Sequence, residues 1–127
     1  MKIVVLVARL LLGLLFAVFG LNGFLHFIPA PPSIPGDAGV FFGVLLKTHY
    51  VYLTAGVQLI AGVLLLANQY VPLALVLLAA MLANILTFHI TMMPKGLGIP
   101  IFATALWFIV SWSMRERFAP LFSRNAS

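Results

Sequence analysis

The chain has 127 residues, 64% of them hydrophobic and 7% charged, with no cysteine and a formal net charge of +5. Its mean hydropathy of +1.20 lies outside the range of soluble domains, and the length leaves no room for a separate soluble module. The missing cysteines exclude disulfides, thiol-relay redox chemistry, cysteine-ligated iron–sulfur clusters and c-type haem attachment within the chain. The basic residues stand singly at the ends of apolar runs rather than as a patch for nucleic acid.

Four apolar runs, at about 3–28, 50–67, 71–93 and 97–114, fill most of the sequence. A hydrocarbon core roughly 30 Å thick needs about 20 residues of helix to cross it. Lipid supplies no hydrogen-bond partners, so spanning segments are helices or closed barrels, and these runs lack the alternation of barrel strands. The expected fold is therefore all-α: one integral membrane four-helix bundle over residues 1–127, with 115–127 as a basic cytoplasmic tail.

The first run opens with Lys2 but is about twice the length of a signal-peptide apolar core, is interrupted by Arg9 and has no small-residue cleavage site after it. It is expected to stay as the first span. Arg9 falls about 10 Å inside that span at 1.5 Å per residue, within snorkelling reach of headgroups. Gly13, Ala17 and Gly20 share its face, a spacing suited to close packing against a neighbouring helix. Asn22 and His26 form a polar stripe near the far end.

The prolines at 29, 31, 32 and 35 forbid a helix there. Gly36-Asp37-Ala38-Gly39 then opens a short apolar stretch over 40–46, with Asp37 able to cap a helix start. That piece is too short to cross and is expected in the membrane interface, as a lid over the bundle or a packed loop helix. Lys47-Thr48-His49-Tyr50-Val51-Tyr52 reads as an interfacial belt of basic and aromatic residues.

In the second span Gln58 lies near the middle, with Thr54 one turn earlier. Residues 68–72 make a tight hairpin, with Pro72 in the first turn of the third span. On that third span Asn84, Thr87 and Thr91 share a face. Residues 94–98 link to the fourth span, where Pro100 falls in the first turn.

With four spans, Lys2, Arg9, Arg115, Arg117 and Arg124 lie on one side and Lys47 and Lys95 on the other. The excess favours both termini in the cytoplasm, and the expected location is a bacterial-type inner membrane. Polar side chains in hydrocarbon need partners, so the polar faces are expected to point inward. Asn22, His26, Gln58, Asn84 and Thr87 would then line one ligand pocket in the outer half of the bundle, beneath the proline-rich loop. The competing expectation is interhelical hydrogen bonding that only fixes the bundle. His26, His49 and His89 invite haem or a metal, but no pair has a same-helix ligand spacing. His89 lies about 140° from Asn84 at 100° per residue, so no metal or haem site is assigned.

The run Ala8-Arg9-Leu10-Leu11-Leu12-Gly13-Leu14-Leu15-Phe16, then Gly20-Leu21-Asn22-Gly23-Phe24-Leu25-His26-Phe27-Ile28-Pro29, resembles the opening of small DoxX-like membrane proteins. The proline-rich loop, the short helix after it, Gly56-Val57-Gln58-Leu59-Ile60-Ala61-Gly62, Val71-Pro72-Leu73-Ala74-Leu75 and Asn84-Ile85-Leu86-Thr87-Phe88-His89 extend the likeness to about residue 114. The resemblance implies a four-helix membrane bundle. It also implies ties to quinone-linked, sulfur or oxidative-stress redox complexes. Many relatives carry glutamate where Gln58 stands and arginine where Gln69 stands. An amide at position 58 holds no titratable proton, which removes a proton-carrying role from that position.

Three functions follow as expectations. The first is an accessory subunit of a membrane redox system, working with partner subunits in the lipid bilayer, with a quinone headgroup held by hydrogen bonds. The second is a small transporter or channel, disfavoured for proton antiport because no span contains an acid. The third is a structural assembly factor without a ligand. No stand-alone enzyme is expected, and the sequence leaves the oligomeric state open.

Overall fold

The computed structural model describes residues 2–25 and 36–124. The first four helices are α1 (Lys2–Leu25), α2 (Gly36–Lys47), α3 (Val51–Ala67) and α4 (Val71–Met92). The remaining two are α5 (Gly98–Ser113) and α6 (Arg115–Phe118). Short 3-10 turns at Pro94–Gly96 and Ala119–Phe122 complete the chain, and no strand occurs among the described residues. His26 and the proline-rich loop lie outside those residues.

Two helices, α1 and α4, are long and apolar enough to cross a membrane alone. α3 and α5, at 17 and 16 residues, qualify only together with the segments bent away from them. α2 turns through 86° into α3, and α5 turns through 86° into residues 115–122. The turn between α2 and α3 is closed by His49, whose φ of 64° ends α2 with a left-handed residue. Asp37 lies in the first turn of α2, where its charge faces the positive end of the helix dipole. The α3–α4 hairpin uses left-handed Asn68 and Tyr70, and Pro72 sits in the first turn of α4, as its missing N–H allows.

α1, α3, α4 and α5 pack antiparallel in a ring, each against two neighbours, with α1 opposite α4. The α1–α3 contact is the most extensive and the closest. A Cβ added at Gly62 would lie 2.4 Å from the Ala17 nitrogen, and one at Gly20 would lie 2.5 Å from the Leu59 nitrogen. The backbones therefore touch along the small-residue face of α1, and that stripe serves packing within the chain.

The fully buried side chains Leu12, Leu65, Leu75, Leu78 and Val110 fill the half of the bundle nearest Lys2 and Arg115. Trp107 ties α5 to α4 by donating its Nε1–H to the Leu75 carbonyl at 2.8 Å. In the same half, Arg9 donates to the Leu65 carbonyl in the last turn of α3. A cation at the negative end of a helix is favourable. Arg9 is thus not a free snorkelling group: it caps a neighbouring helix.

Candidate functional site

The opposite half of the bundle, toward the α1–α2 and α4–α5 connections, packs less tightly. Along α3 the buried residues Leu65 and Ala61 are followed, one turn on, by Gln58, which is half-buried. Along α4 the buried line Leu75, Leu78 and Leu82 continues through Ile85 to His89, both half-buried. These spacings of three and four keep each series on one face of its helix. The inward faces thus change from leucine to polar side chains as they leave the core.

Each polar group on these faces has a distinct environment. Among the described residues, the Gln58 side chain makes no hydrogen bond. Thr54, also half-buried, donates to the Val51 carbonyl at 2.9 Å and is satisfied within α3. His89 Nδ1 lies 2.8 Å from the Ile85 carbonyl. The other edge of that imidazole rests on Gly96, where an added Cβ would come within 2.9 Å of Cδ2. Gly96 is required by that close approach.

Aromatic rings surround this end. Phe88 meets Phe41 and Phe42 of α2 at 5.4 and 5.9 Å, which anchors α2 to α4. Phe24 stacks on Tyr52 at 5.3 Å, and His49 stacks on the same ring at 5.5 Å. Most of α2 is otherwise exposed, with Ala38 its one buried side chain. Its near-perpendicular set against α3 suits a helix lying along the membrane surface.

The five sequence candidates are not gathered as expected. Asn22 is half-buried near the end of α1, and Gln58 faces the interior. Asn84 and Thr87 are exposed on α4, away from the bundle. The expectation that the polar face of the third span points inward is therefore corrected. Leu75, Leu78 and Leu82 set the inward face of α4, and the Asn84–Thr87 face lies on its far side. Each outward group finds a partner on its own helix: Asn84 Nδ2 donates to Ala80 at 2.9 Å and Thr87 Oγ1 donates to Ala83 at 2.7 Å. His89 takes the inward place instead. Its 140° offset from Asn84 was the available signal, and it needed only the knowledge of which face is outward.

The inward faces offer hydrogen bonds from an amide midway along α3 and from an imidazole near the end of α4, beside aromatic and aliphatic side chains. Among the described residues no three His, Asp or Glu side chains gather as a metal site. Two open dents lie elsewhere on the described surface. One is formed by Ser113 to Arg117 and the other by Leu86, Ile101, Thr104, Ala105 and Phe108.

A comparison with family models matches residues 4–90 to DoxX. The chain belongs to the DoxX family. The match covers α1 to nearly the end of α4, and so includes both inward polar positions, Gln58 and His89. Together with the apolar helices it identifies a small DoxX membrane protein. No curated protein and no solved structure gives a significant match to this chain.

Proposed function

We propose that this DoxX protein is an accessory subunit of a membrane redox system, and that its outer half hydrogen-bonds the headgroup of an apolar carrier of the quinone class. The observation that carries this reading is Gln58: an inward-facing amide, half-buried at mid-helix, with no hydrogen-bond partner among the described residues. Leaving such an amide unpaired in an apolar setting costs free energy that a ligand carbonyl or hydroxyl would recover. α2, held against α4 by Phe41 and Phe42 on Phe88, forms the roof. Asn22 lies toward the same end, near the close of α1.

The four long helices are taken as four spans with both termini on the cytoplasmic side. The distribution of Lys2, Arg9, Arg115, Arg117 and Arg124 against Lys47 and Lys95 supports this in a bacterial-type inner membrane. The account assigns no proton to position 58, because an amide does not titrate.

A second reading, an assembly protein without a ligand, is favoured by one observation: Asn84 and Thr87, expected in the pocket, lie exposed on the outer face of α4. Purification in a mild detergent, followed by mass spectrometry of co-purifying small molecules and proteins and an absorbance spectrum, separates the two. Quinone retained by the wild type and lost from Gln58→Leu supports the first reading. Partner proteins without any quinone support the second.

A further inference from the structure

The outward faces of the bundle differ in kind. α1 presents Leu10, Leu14 and Leu21 to its surroundings, α3 presents Leu53, Ile60 and Val63, and α5 presents Ile101, Phe102 and Phe108. These are large apolar side chains of the sort that meets lipid tails. α4 follows them only in its first half, where Leu73 and Val76 are exposed. The same outward line then continues through Ala80, Asn84, Thr87 and Thr91, all exposed, at spacings of four, three and four, with Ile90 exposed beside it.

The depth of Asn84 makes this placement informative. In the 22-residue α4 it lies about 4 Å beyond the midpoint at 1.5 Å per residue, close to the bilayer centre. Thr87 and Thr91 bond to the carbonyls one turn back and need nothing more. Asn84 uses one N–H on Ala80. Among the described residues its other N–H and its Oδ1 have no partner. Polar groups in membrane helices face protein or water-filled space rather than lipid. Ala80 beside Asn84 lets a second backbone come close.

We propose that this face of α4 is a homodimer interface, in which Asn84 of one copy pairs with Asn84 of a second copy across a twofold axis. The occupant follows from the chemistry of the exposed group. A primary amide carries one donor and one acceptor side by side, so two copies in twofold relation satisfy each other with two hydrogen bonds. A lone carboxylate or ammonium there would call for an unlike partner; the amide and its small neighbours are self-complementary. The interface stands independently of any ligand in the bundle.

The absence of native cysteine gives a clean test in reconstituted bilayers of the full chain. Ala80→Cys and Thr87→Cys, each with Asn84 intact, should form disulfide-linked dimers on mild oxidation. Ile60→Cys and Phe108→Cys, on the lipid-type faces, should not. Adding Asn84→Leu to Ala80→Cys should lower the cross-linked yield about tenfold at limiting protein density, from the loss of two interhelical hydrogen bonds. Asn84→Gln, which keeps the amide, should restore part of it. Equal cross-linking on all faces, no cross-linking at Ala80 and Thr87, or a yield indifferent to Asn84→Leu would overturn the proposal. All these positions are exposed, so loss of the fold does not confound the comparison; thermal unfolding of each variant checks that.

Discussion

Gly62 and Gly56 lie on the same helix and separate tertiary packing from helix propensity. In either place, replacing glycine by alanine favours the helix itself by about 0.5–1 kcal/mol. At Gly56 the new Cβ meets only the tip of Phe24, at 3.9 Å, an ordinary contact. At Gly62 it meets the Ala17 nitrogen at 2.4 Å, the Gly13 carbonyl oxygen at 2.8 Å and the Ala17 Cα at 2.9 Å. All three are backbone atoms that no rotamer change can move. Reaching ordinary contact requires α1 and α3 to part by about 1 Å, which forfeits a large part of each contact along the closest interface in the fold. Overpacking of this kind costs about 1–3 kcal/mol. Gly62→Ala should therefore unfold more readily than wild type, and Gly56→Ala should match or exceed it. Thermal and denaturant unfolding in detergent micelles, followed by helical circular dichroism, measures both. If Gly62→Ala is as stable as Gly56→Ala, the backbone-to-backbone contact is not what holds α1 on α3, and the reasoning fails.

Other predictions follow from single side chains. Arg9→Met removes the donor to the Leu65 carbonyl and should destabilise the protein by about 1–2 kcal/mol, while Arg9→Lys should lose less; the same unfolding assay decides this. Ser111 is buried with a hydroxyl that has no hydrogen-bond partner among the described residues, so Ser111→Ala should be neutral or stabilising, and a clear loss of stability would reveal a partner for that hydroxyl. Trp107→Phe should cost about 0.5–1.5 kcal/mol by removing the bond to the Leu75 carbonyl, toward the low end because that carbonyl lies within α4 and keeps its helical partner. Leu78→Ala, at a fully buried position, should be the most damaging of these changes, at about 2–5 kcal/mol.

Much of the architecture was legible because bilayer thickness and helix rise translate run length directly into helices. The apolar runs overlap α1, α3, α4 and α5 over the described residues, and Pro94 and Gly96 mark the break between α4 and α5. The small-residue stripe of α1 correctly pointed to close packing, since Gly13, Ala17 and Gly20 face α3. Two features were not readable. Arg9 lacked any acidic partner in the sequence, and a helix C-terminus as its acceptor emerges only from the antiparallel pairing of α1 and α3. The face of α4 was misassigned because leucine and alanine cover almost its whole circumference, so hydropathy does not identify the inward side. The cost of burying polar groups in lipid alone predicts an inward polar line, yet Asn84 and Thr87 point outward and His89 points in.

The central claim is that the Gln58 amide hydrogen-bonds a headgroup inside the outer half of the bundle. The most direct measurement is the infrared difference spectrum of a short-chain quinone added to the purified protein, with the quinone carbonyl band read against Gln58→Leu. The account predicts a carbonyl band displaced to lower wavenumber by a hydrogen bond in the wild type, and its return to the position seen in apolar solvent in Gln58→Leu. A band at the apolar-solvent position with wild-type protein in excess, or a displacement unchanged by Gln58→Leu, would contradict it.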